Sequence, residues 1–145
     1  MTSAYLLDVN VLIGLAHEDH TSHGKVKRWF RGTGDLCWAT CPLTEAGFVR
    51  VVSNPSYQEP ALDQDDVQAM LAALRALPGH QFWPIDFGFE EAVAPFADRF
   101  FGHQQVADVY LLALAIRNRG KLVTLDRGLA FLAGDEFAAK VVLIG

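Results

Sequence analysis

The sequence predicts an α/β protein: a single domain with a central parallel sheet of about five strands, flanked by helices on both faces. Short apolar runs alternate with longer segments of helical periodicity, which is the order expected of successive β–α–β units. Several of these runs are almost entirely apolar, as in parallel strands that are buried on both faces. A length of 145 residues, with 51% hydrophobic and 20% charged residues, suits one domain that spans residues 1–145.

Five segments carry the strand signal. Residues 4–7 and 122–125 are short apolar runs, each followed directly by an aspartate. Residues 36–39 are the second candidate strand, and residues 141–144 are the last. The third candidate, residues 82–85, contains a proline that has no N–H group to donate, so we expect this strand at an edge of the sheet.

Helices are predicted between these strands from apolar periodicity and from end signals. Pro42 suits the first turn of a helix, Asp63 is a favourable N-cap, and Gly120 follows the clearest helix. The polar segment 53–60 contains two prolines and predicts a loop. The predicted helices cover residues 11–16, 22–30, 42–54, 67–77, 89–96 and 104–118.

Charge and cysteine content exclude several classes of protein. The net charge of −5 argues against a protein that binds nucleic acid mainly through a general positive field, although it does not exclude a nuclease. Cys37 and Cys41 are too few for a disulfide scaffold and indicate ordinary buried thiols. No apolar run approaches the roughly 20 residues that span a bilayer, and the N-terminus lacks the basic segment of a signal peptide, so we expect a cytoplasmic protein.

Four acidic residues stand out because apolar sequence surrounds them, and a buried carboxylate is costly unless something compensates it. Asp8 and Asp126 directly follow predicted strands, so they should lie at the carboxyl edge of the sheet, where open α/β sheets bind ligands. Glu45 and Asp108 belong to early turns of helices that could point to the same place. Four carboxylates together suggest a bound Mg²⁺ or Mn²⁺ ion, and hence metal-assisted hydrolysis.

Each of these acids also has an ordinary interpretation. Asp126 precedes Arg127 and Gly128 as a helix N-cap would, and Glu45 could be a capping-box residue. Asp108 could face solvent on its helix. The metal-site hypothesis therefore depends on the combination of the four acids and not on any one of them.

Two neighbours of the acids are candidates for supporting roles. Asn10 could orient Asp8 through a hydrogen bond, and its ordinary interpretation is a helix cap. Thr124 could hold Asp126 or a metal-bound water, and its ordinary interpretation is a strand threonine.

Basic residues and histidines supply further candidates. Arg50 and Arg127 are the basic residues nearest to the acids in the sequence, so they are the candidates for binding the substrate. His103 precedes the helix of Asp108 and could approach a substrate. Three other histidines are spaced three residues apart. Because an α-helix has about 3.6 residues per turn, side chains at this spacing do not stay on one face, which does not favour a zinc site. These are His17, His20 and His23.

The segments around the four acids resemble the four acidic motifs of PIN domains, in the expected order and over essentially the whole chain. The longer phrases RVVSNP, at residues 50–55, and LALAI, at residues 112–116, resemble VapC toxins of bacterial type II toxin–antitoxin pairs. The acidic segments are LLDVNVLI at residues 6–13, LTEAGF at 43–48, VADVYLL at 106–112 and TLDRGL at 124–129.

This resemblance implies a Mg²⁺- or Mn²⁺-dependent endoribonuclease that inhibits translation or growth. It implies a metal site and catalytic centre formed by four residues, none of which departs from the family pattern. It also implies neutralisation by a cognate VapB-type antitoxin, and a homodimer. The RNA that is cut and the number of metal ions stay open. The four residues are Asp8, Glu45, Asp108 and Asp126.

Other functions compete with this one. A haloacid-dehalogenase-like phosphatase also begins with an aspartate at a strand end, but it requires a second aspartate where Asn10 stands. A phosphoacceptor receiver domain has no place for Glu45 and Asp126. A non-toxin PIN nuclease in RNA processing, a nuclease that cuts DNA, and a non-catalytic PIN-like binding module remain alternatives.

Six apolar residues exceed the number that one small sheet requires. We expect some of them to form a dimer surface or a groove for the antitoxin. They are Leu12, Leu15, Trp29, Phe30, Phe48 and Trp83.

Overall fold

A computed structural model of the protein describes residues 4–145. Its five strands are β1 Ala4–Leu7, β2 Cys37–Thr40, β3 His80–Phe82, β4 Lys121–Thr124 and β5 Val141–Leu143. They form one parallel sheet in the order β3-β2-β1-β4-β5. The predicted α/β class and the parallel sheet of about five strands are therefore confirmed.

Seven α-helices connect the strands in the described residues. Short 3₁₀ turns lie at Ala94–Phe96, His103–Gln105 and Ala138–Lys140. The helices are α1 Val9–Ala16, α2 His23–Gly32, α3 Pro42–Val52, α4 Gln64–Arg75, α5 Phe89–Val93, α6 Val106–Arg117 and α7 Arg127–Ala133. No helix in residues 4–145 is both long enough and apolar enough to cross a membrane.

The sheet separates two apolar cores, because successive strand residues point to opposite faces. In β1, Leu6 packs with α5, α6 and α7, whereas Leu7 packs with α1 to α4. In β4, Leu122 and Val123 divide between the same two cores. All four side chains are fully buried, which explains why the central strands are apolar throughout. Helices thus cover both faces of the sheet, as predicted.

The third strand was predicted in the wrong place along the chain, although its position at an edge of the sheet is confirmed. The strand occupies His80–Phe82 and not residues 82–85. The N–H group of Trp83 still donates to the carbonyl oxygen of Thr40 at 2.9 Å. Pro84 has no such group, so the pairing with β2 cannot continue.

Three helices begin two or three residues away from the predicted position, among them α4, which starts at Gln64 and not at residue 67. The first starts at Val9, because the Asp8 carboxylate accepts the Val9 N–H group at 2.8 Å and so caps the helix. The long helix of Asp108 starts at Val106, because a 3₁₀ turn occupies residues 103–105. The predicted cap of α4 is confirmed: Asp63 accepts the N–H group of Asp66 at 2.9 Å.

Three of the six apolar residues named for a possible surface are buried. Leu12, Phe48 and Trp83 belong to the cores and are almost inaccessible to solvent. The other three are partly buried against the same core as α1 to α4, and Trp29 packs edge-on against Tyr5. The large apolar side chains that the structure exposes are Phe82, Phe101, Val106, Phe131 and Leu143.

Candidate functional site

Asp8 lies at the carboxyl end of β1 and is only 8% exposed. Its Oδ1 atom accepts the Val9 N–H group at 2.8 Å, and its Oδ2 atom accepts the Thr124 hydroxyl at 2.7 Å. Burial raises the pKa of Asp8, and the negative charge of Asp126 raises it further, whereas these two hydrogen bonds lower it. The carboxylate is thus held in a fixed orientation at a place where its charge is costly.

Thr124 joins two of the acids. Besides donating to Asp8, its Oγ1 atom accepts the N–H group of Asp126 at 3.0 Å. Asp126 in turn caps α7, because its Oδ1 atom accepts the Gly128 N–H group at 2.8 Å. The helix-cap interpretation of Asp126 is therefore correct. It does not exclude a place in the site, since the second carboxylate oxygen is free of that bond.

Asp108 lies in the first turn of α6 and is partly buried. No group in residues 4–145 donates a hydrogen bond to its carboxylate by ordinary geometric criteria. Burial is the main cause that raises its pKa, and the charges of Asp8 and then Asp126 add to it, so the pKa reaches about 7. Asp108 and Asp126 line one cavity, and Thr124 bonds both to Asp8 and to the backbone of Asp126, so the fold brings these three aspartates together at one edge of the sheet.

Asp108 and Asp126 also share a cavity of about 410 Å³. Its wall continues into the turn before α6, which includes the candidate residue His103. A cavity of this size suits a small polar group of a substrate. The lining residues are Phe101, Gly102, His103, Gln104, Gln105, Asp108, Asp126 and Gly128.

Glu45 forms contacts of its own at the carboxyl end of β2. Its Oε2 atom accepts the Thr40 hydroxyl at 2.6 Å, and its Oε1 atom lies 3.4 Å from Arg75 Nη1. It does not line the cavity of Asp108 and Asp126, and its charge does not contribute to the raised pKa of either Asp8 or Asp108. The structure thus brings three of the four predicted acids together and directs the fourth towards the β2–β3 side of the sheet.

A histidine supports the Thr40–Glu45 contact from the edge strand. His80 Nε2 lies 2.8 Å from Thr40 Oγ1. Since the Thr40 hydroxyl gives its single proton to the Glu45 carboxylate, His80 Nε2 must be the donor to Thr40. Burial lowers the pKa of His80, which favours the neutral ring that this arrangement uses. Thr40, His80 and Arg75 were not identified from the sequence, because they come from three separate elements.

The remaining predicted residues lie near the acids in different ways. Asn10 does not form the expected bond to Asp8 among the described residues. Its Oδ1 atom accepts the Leu125 N–H group at 3.3 Å and so ties α1 to the end of β4. Arg127 is exposed at the start of α7, and Arg50 is exposed in the last turn of α3. Neither arginine forms an ion pair within residues 4–145.

The histidines spaced in threes serve local structure. His23 Nδ1 lies 2.8 Å from the Gly14 carbonyl oxygen, and His20 Nδ1 accepts the Ser22 N–H group at 3.1 Å. These contacts stabilise the connection between α1 and α2.

The donor chemistry of the three aspartates fits a hard divalent cation. Carboxylate oxygens are preferred ligands of Mg²⁺ and Mn²⁺, and a cation would offset the repulsion that raises the pKa of Asp108. Across residues 4–145, no three Asp, Glu, His or Cys side chains are already close enough to form a complete coordination group. A bound ion would thus use one or two of these carboxylates together with water, as Mg²⁺ commonly does.

Comparisons with known proteins agree with the geometry. Residues 5–134 match the PIN domain family. The chain is 44% identical to ribonuclease VapC38 of Mycobacterium tuberculosis over 96% of both chains. It is also 44% identical to ribonuclease VapC39 of the same species, over 86% of this chain and 90% of that protein.

A solved structure has the same fold. The crystal structure of PAE2754 from Pyrobaculum aerophilum superposes with a TM-score of 0.61, over 90% of this chain and 79% of that one, at 18% identity. At this identity the likeness concerns the fold alone. The sequence match over nearly the whole chain carries the assignment: the protein belongs to the PIN domain family and, within it, to the VapC proteins.

Proposed function

We propose that the protein is a VapC-type toxin: an endoribonuclease that depends on Mg²⁺ or Mn²⁺ and hydrolyses phosphodiester bonds in cellular RNA. The observation that carries the proposal is the cluster of Asp8, Asp108 and Asp126 at the carboxyl edge of the sheet: Asp108 and Asp126 line one cavity, and Thr124 bonds both to the Asp8 carboxylate and to the backbone of Asp126. The relatives named ribonuclease VapC38 and VapC39 support the choice of RNA as substrate.

The four acids have different roles in metal binding. Asp8 and Asp108 are the principal metal ligands, and Asp126 and Glu45 act directly or through water. When bound, a Mg²⁺ or Mn²⁺ ion lowers the pKa of a coordinated water and offsets negative charge on the phosphate. Thr124 keeps Asp8 oriented, and the bond from Thr40 keeps the Glu45 carboxylate pointing to one place.

Two exposed arginines bind the phosphates of the substrate. Arg127 stands between Asp126 and Gly128, two residues that line the acidic cavity, so it can meet a phosphate that approaches that cavity. Arg50 can contact a phosphate farther along the chain of the RNA. Both residues have their guanidinium groups free of ion pairs within residues 4–145.

The proposal also includes the biological setting. We infer that residues 1–145 function as one PIN domain, that the active form is a homodimer, and that a cognate VapB-type antitoxin neutralises it. Cleavage of the RNA target would inhibit translation or growth. The names of the relatives support the toxin–antitoxin setting, and co-expression with a candidate VapB-type antitoxin would test it by growth rescue.

The direct test is cleavage of total RNA by purified protein that is free of antitoxin. We expect cleavage with Mg²⁺ or Mn²⁺, none with EDTA, and a loss of at least 100-fold in Asp8→Asn, because the variant replaces a negative ligand by a neutral amide. DNA of matching sequence serves as the second substrate. Cleavage of DNA alone would assign a different nuclease, and folded protein that cuts neither substrate would favour a non-catalytic PIN-like module.

A further inference from the structure

Two phenylalanine rings are exposed beside the acidic cavity. Phe101 is 75% exposed and Phe131 is 61% exposed, whereas most large apolar side chains of the protein are buried. Their ring centroids are 6.2 Å apart, with 35° between the planes. Phe101 also forms part of the cavity wall that includes Asp108 and Asp126. The pair, which we call the Phe101–Phe131 platform, is thus continuous with the proposed active site.

The platform is attached to the elements that carry the acids. Phe131 lies on α7, whose N-cap is Asp126. Phe101 lies on the turn that leads into α6, the helix of Asp108. That turn is fixed by two hydrogen bonds: the Phe101 N–H group donates to Gln105 Oε1 at 2.6 Å, and the Gln105 N–H group donates to the Gly102 carbonyl oxygen at 3.0 Å. A ligand on the platform would therefore be positioned relative to both acids.

Charge restricts how an RNA could bind here. The protein has a net charge of −5, and the cavity itself contains two carboxylates, so no general positive field attracts the phosphate backbone here. Affinity must then come largely from contacts that do not depend on charge. Stacking of a base on an aromatic ring is such a contact, and it accepts every base because each has a π-face.

We propose that the Phe101–Phe131 platform stacks unpaired bases of the RNA substrate and places the adjacent phosphate at the cavity of Asp108 and Asp126. The inference deepens the proposed nuclease function and rests on it. Bases inside an A-form duplex are stacked on one another and are not available to an aromatic side chain. The platform can therefore stack only on bases of a single-stranded segment or a loop.

Binding is measured separately from cleavage, in an Asp8→Asn background with Mg²⁺. The probes are an unstructured 12-nucleotide RNA that contains 2-aminopurine and the same strand in a duplex. We expect the double variant Phe101→Leu/Phe131→Leu to bind the single strand about 5- to 100-fold more weakly and to lose the fluorescence quenching of the stacked 2-aminopurine. Phe101→Trp keeps an aromatic ring and should retain both signals.

Phe82→Leu is the matched control. Phe82 is also exposed, at 49%, but it lies on the edge strand β3 and outside the cavity wall. We expect this variant to bind like the parent protein. The leucine variants should keep their melting temperature, because the replaced rings contribute little buried area.

Two results would overturn the inference. One is unchanged affinity and quenching in the leucine double variant, and the other is equal weakening for the single strand and the duplex. If the double variant changes only the sedimentation of the protein, the platform is a contact between two copies and not an RNA site. If the wild-type protein cleaves RNA and the leucine double variant cleaves it equally fast, the platform has no role in cleavage and the proposed nuclease function stands. If RNA binding depends on the two rings but the wild-type protein does not cleave RNA, the platform stands and the proposed nuclease function is wrong.

Discussion

The Thr124 hydroxyl donates a 2.7 Å hydrogen bond to Asp8 Oδ2 and so joins the carboxyl ends of β4 and β1. Thr124 Oγ1 also accepts the N–H group of Asp126. Thr124 and Asp8 are 116 positions apart in the sequence, and the parallel pairing of β1 with β4 brings them into contact. One buried hydroxyl thereby fixes two of the three clustered carboxylates relative to each other.

Replacing Thr124 by valine should impair metal-dependent cleavage more than it impairs folding. Valine has nearly the same shape but cannot donate to Asp8, and a hydrogen bond to a charged group contributes roughly 1.5–3 kcal/mol. We expect a rate loss of about 10-fold or more and a moderate fall in the melting temperature. Thr124→Ser retains the hydroxyl and should recover most of the rate. Equal activity of the valine and serine variants would contradict the role assigned to this bond.

The Thr40 hydroxyl should matter for Glu45 in a comparable way. In Thr40→Val, the Glu45 carboxylate keeps only the partly exposed Arg75 as a partner, so its orientation is less restricted. We expect kcat for RNA cleavage to fall by about 3- to 10-fold with little change in KM, and Thr40→Ser to restore it. Thr33→Val removes a hydroxyl that bonds only to the Trp29 carbonyl oxygen and serves as the control. A control that loses as much activity would show that the effect is general.

Stability without metal should depend on the ionisation of Asp108. Its pKa is raised from 3.8 to about 7, so the folded state holds the proton more tightly than the unfolded state. This contribution to stability is fully present below about pH 4 and is lost as the pH rises to about 7. At pH 8, Asp108→Asn should therefore raise the free energy of unfolding by about 1–2 kcal/mol, after allowance for solvent screening. The two proteins should differ much less at pH 4.

Chemical denaturation in EDTA at both pH values measures this difference. Asp65→Asn is the control, because Asp65 is exposed in the first turn of α4 and away from the cluster. A lower stability of Asp108→Asn than of the parent at pH 8 would show that burial and repulsion do not burden this carboxylate.

Divalent metal should stabilise the folded protein. An ion that binds only the folded state at 100 times its dissociation constant adds about 2.7 kcal/mol to the free energy of unfolding. We expect Mn²⁺ to raise the melting temperature of the parent protein and of Asp65→Asn, but to have little effect on a double variant Asp8→Asn/Asp108→Asn. Thermal scans over a range of Mn²⁺ concentrations check this, and an equal rise in all three proteins would place the binding elsewhere.

The sequence identified the acids that end strands more securely than the direction of the helical acids. Asp8 and Asp126 follow buried apolar runs, so the sheet topology alone predicts their edge position. The direction of Glu45 depends on Thr40 in β2 and on His80 in β3, which are 40 residues apart, and no local pattern reveals that contact. Asp8 also caps α1, which therefore starts at Val9, two residues before the predicted start.

Exposure was the least predictable property. Some of six apolar residues were expected to form a surface, yet Leu12 and Phe48 are fully buried, because a sheet covered on both faces has two cores to fill. Phe101 and Phe131 lie in a turn and on a short helix where no long periodic pattern exists. Their exposure follows from tertiary packing and could be recognised only in the structure.

The most direct test of the central claim, that the aspartate cluster supports metal-dependent RNA cleavage, is a Mn²⁺ titration of single-turnover cleavage. It compares the parent protein with Asp108→Asn and with Asp65→Asn. We expect the cleavage rate to rise and saturate with Mn²⁺ in the parent protein and in Asp65→Asn, and to be at least 100-fold lower in Asp108→Asn. Cleavage by Asp108→Asn with the Mn²⁺ dependence of the parent would contradict it.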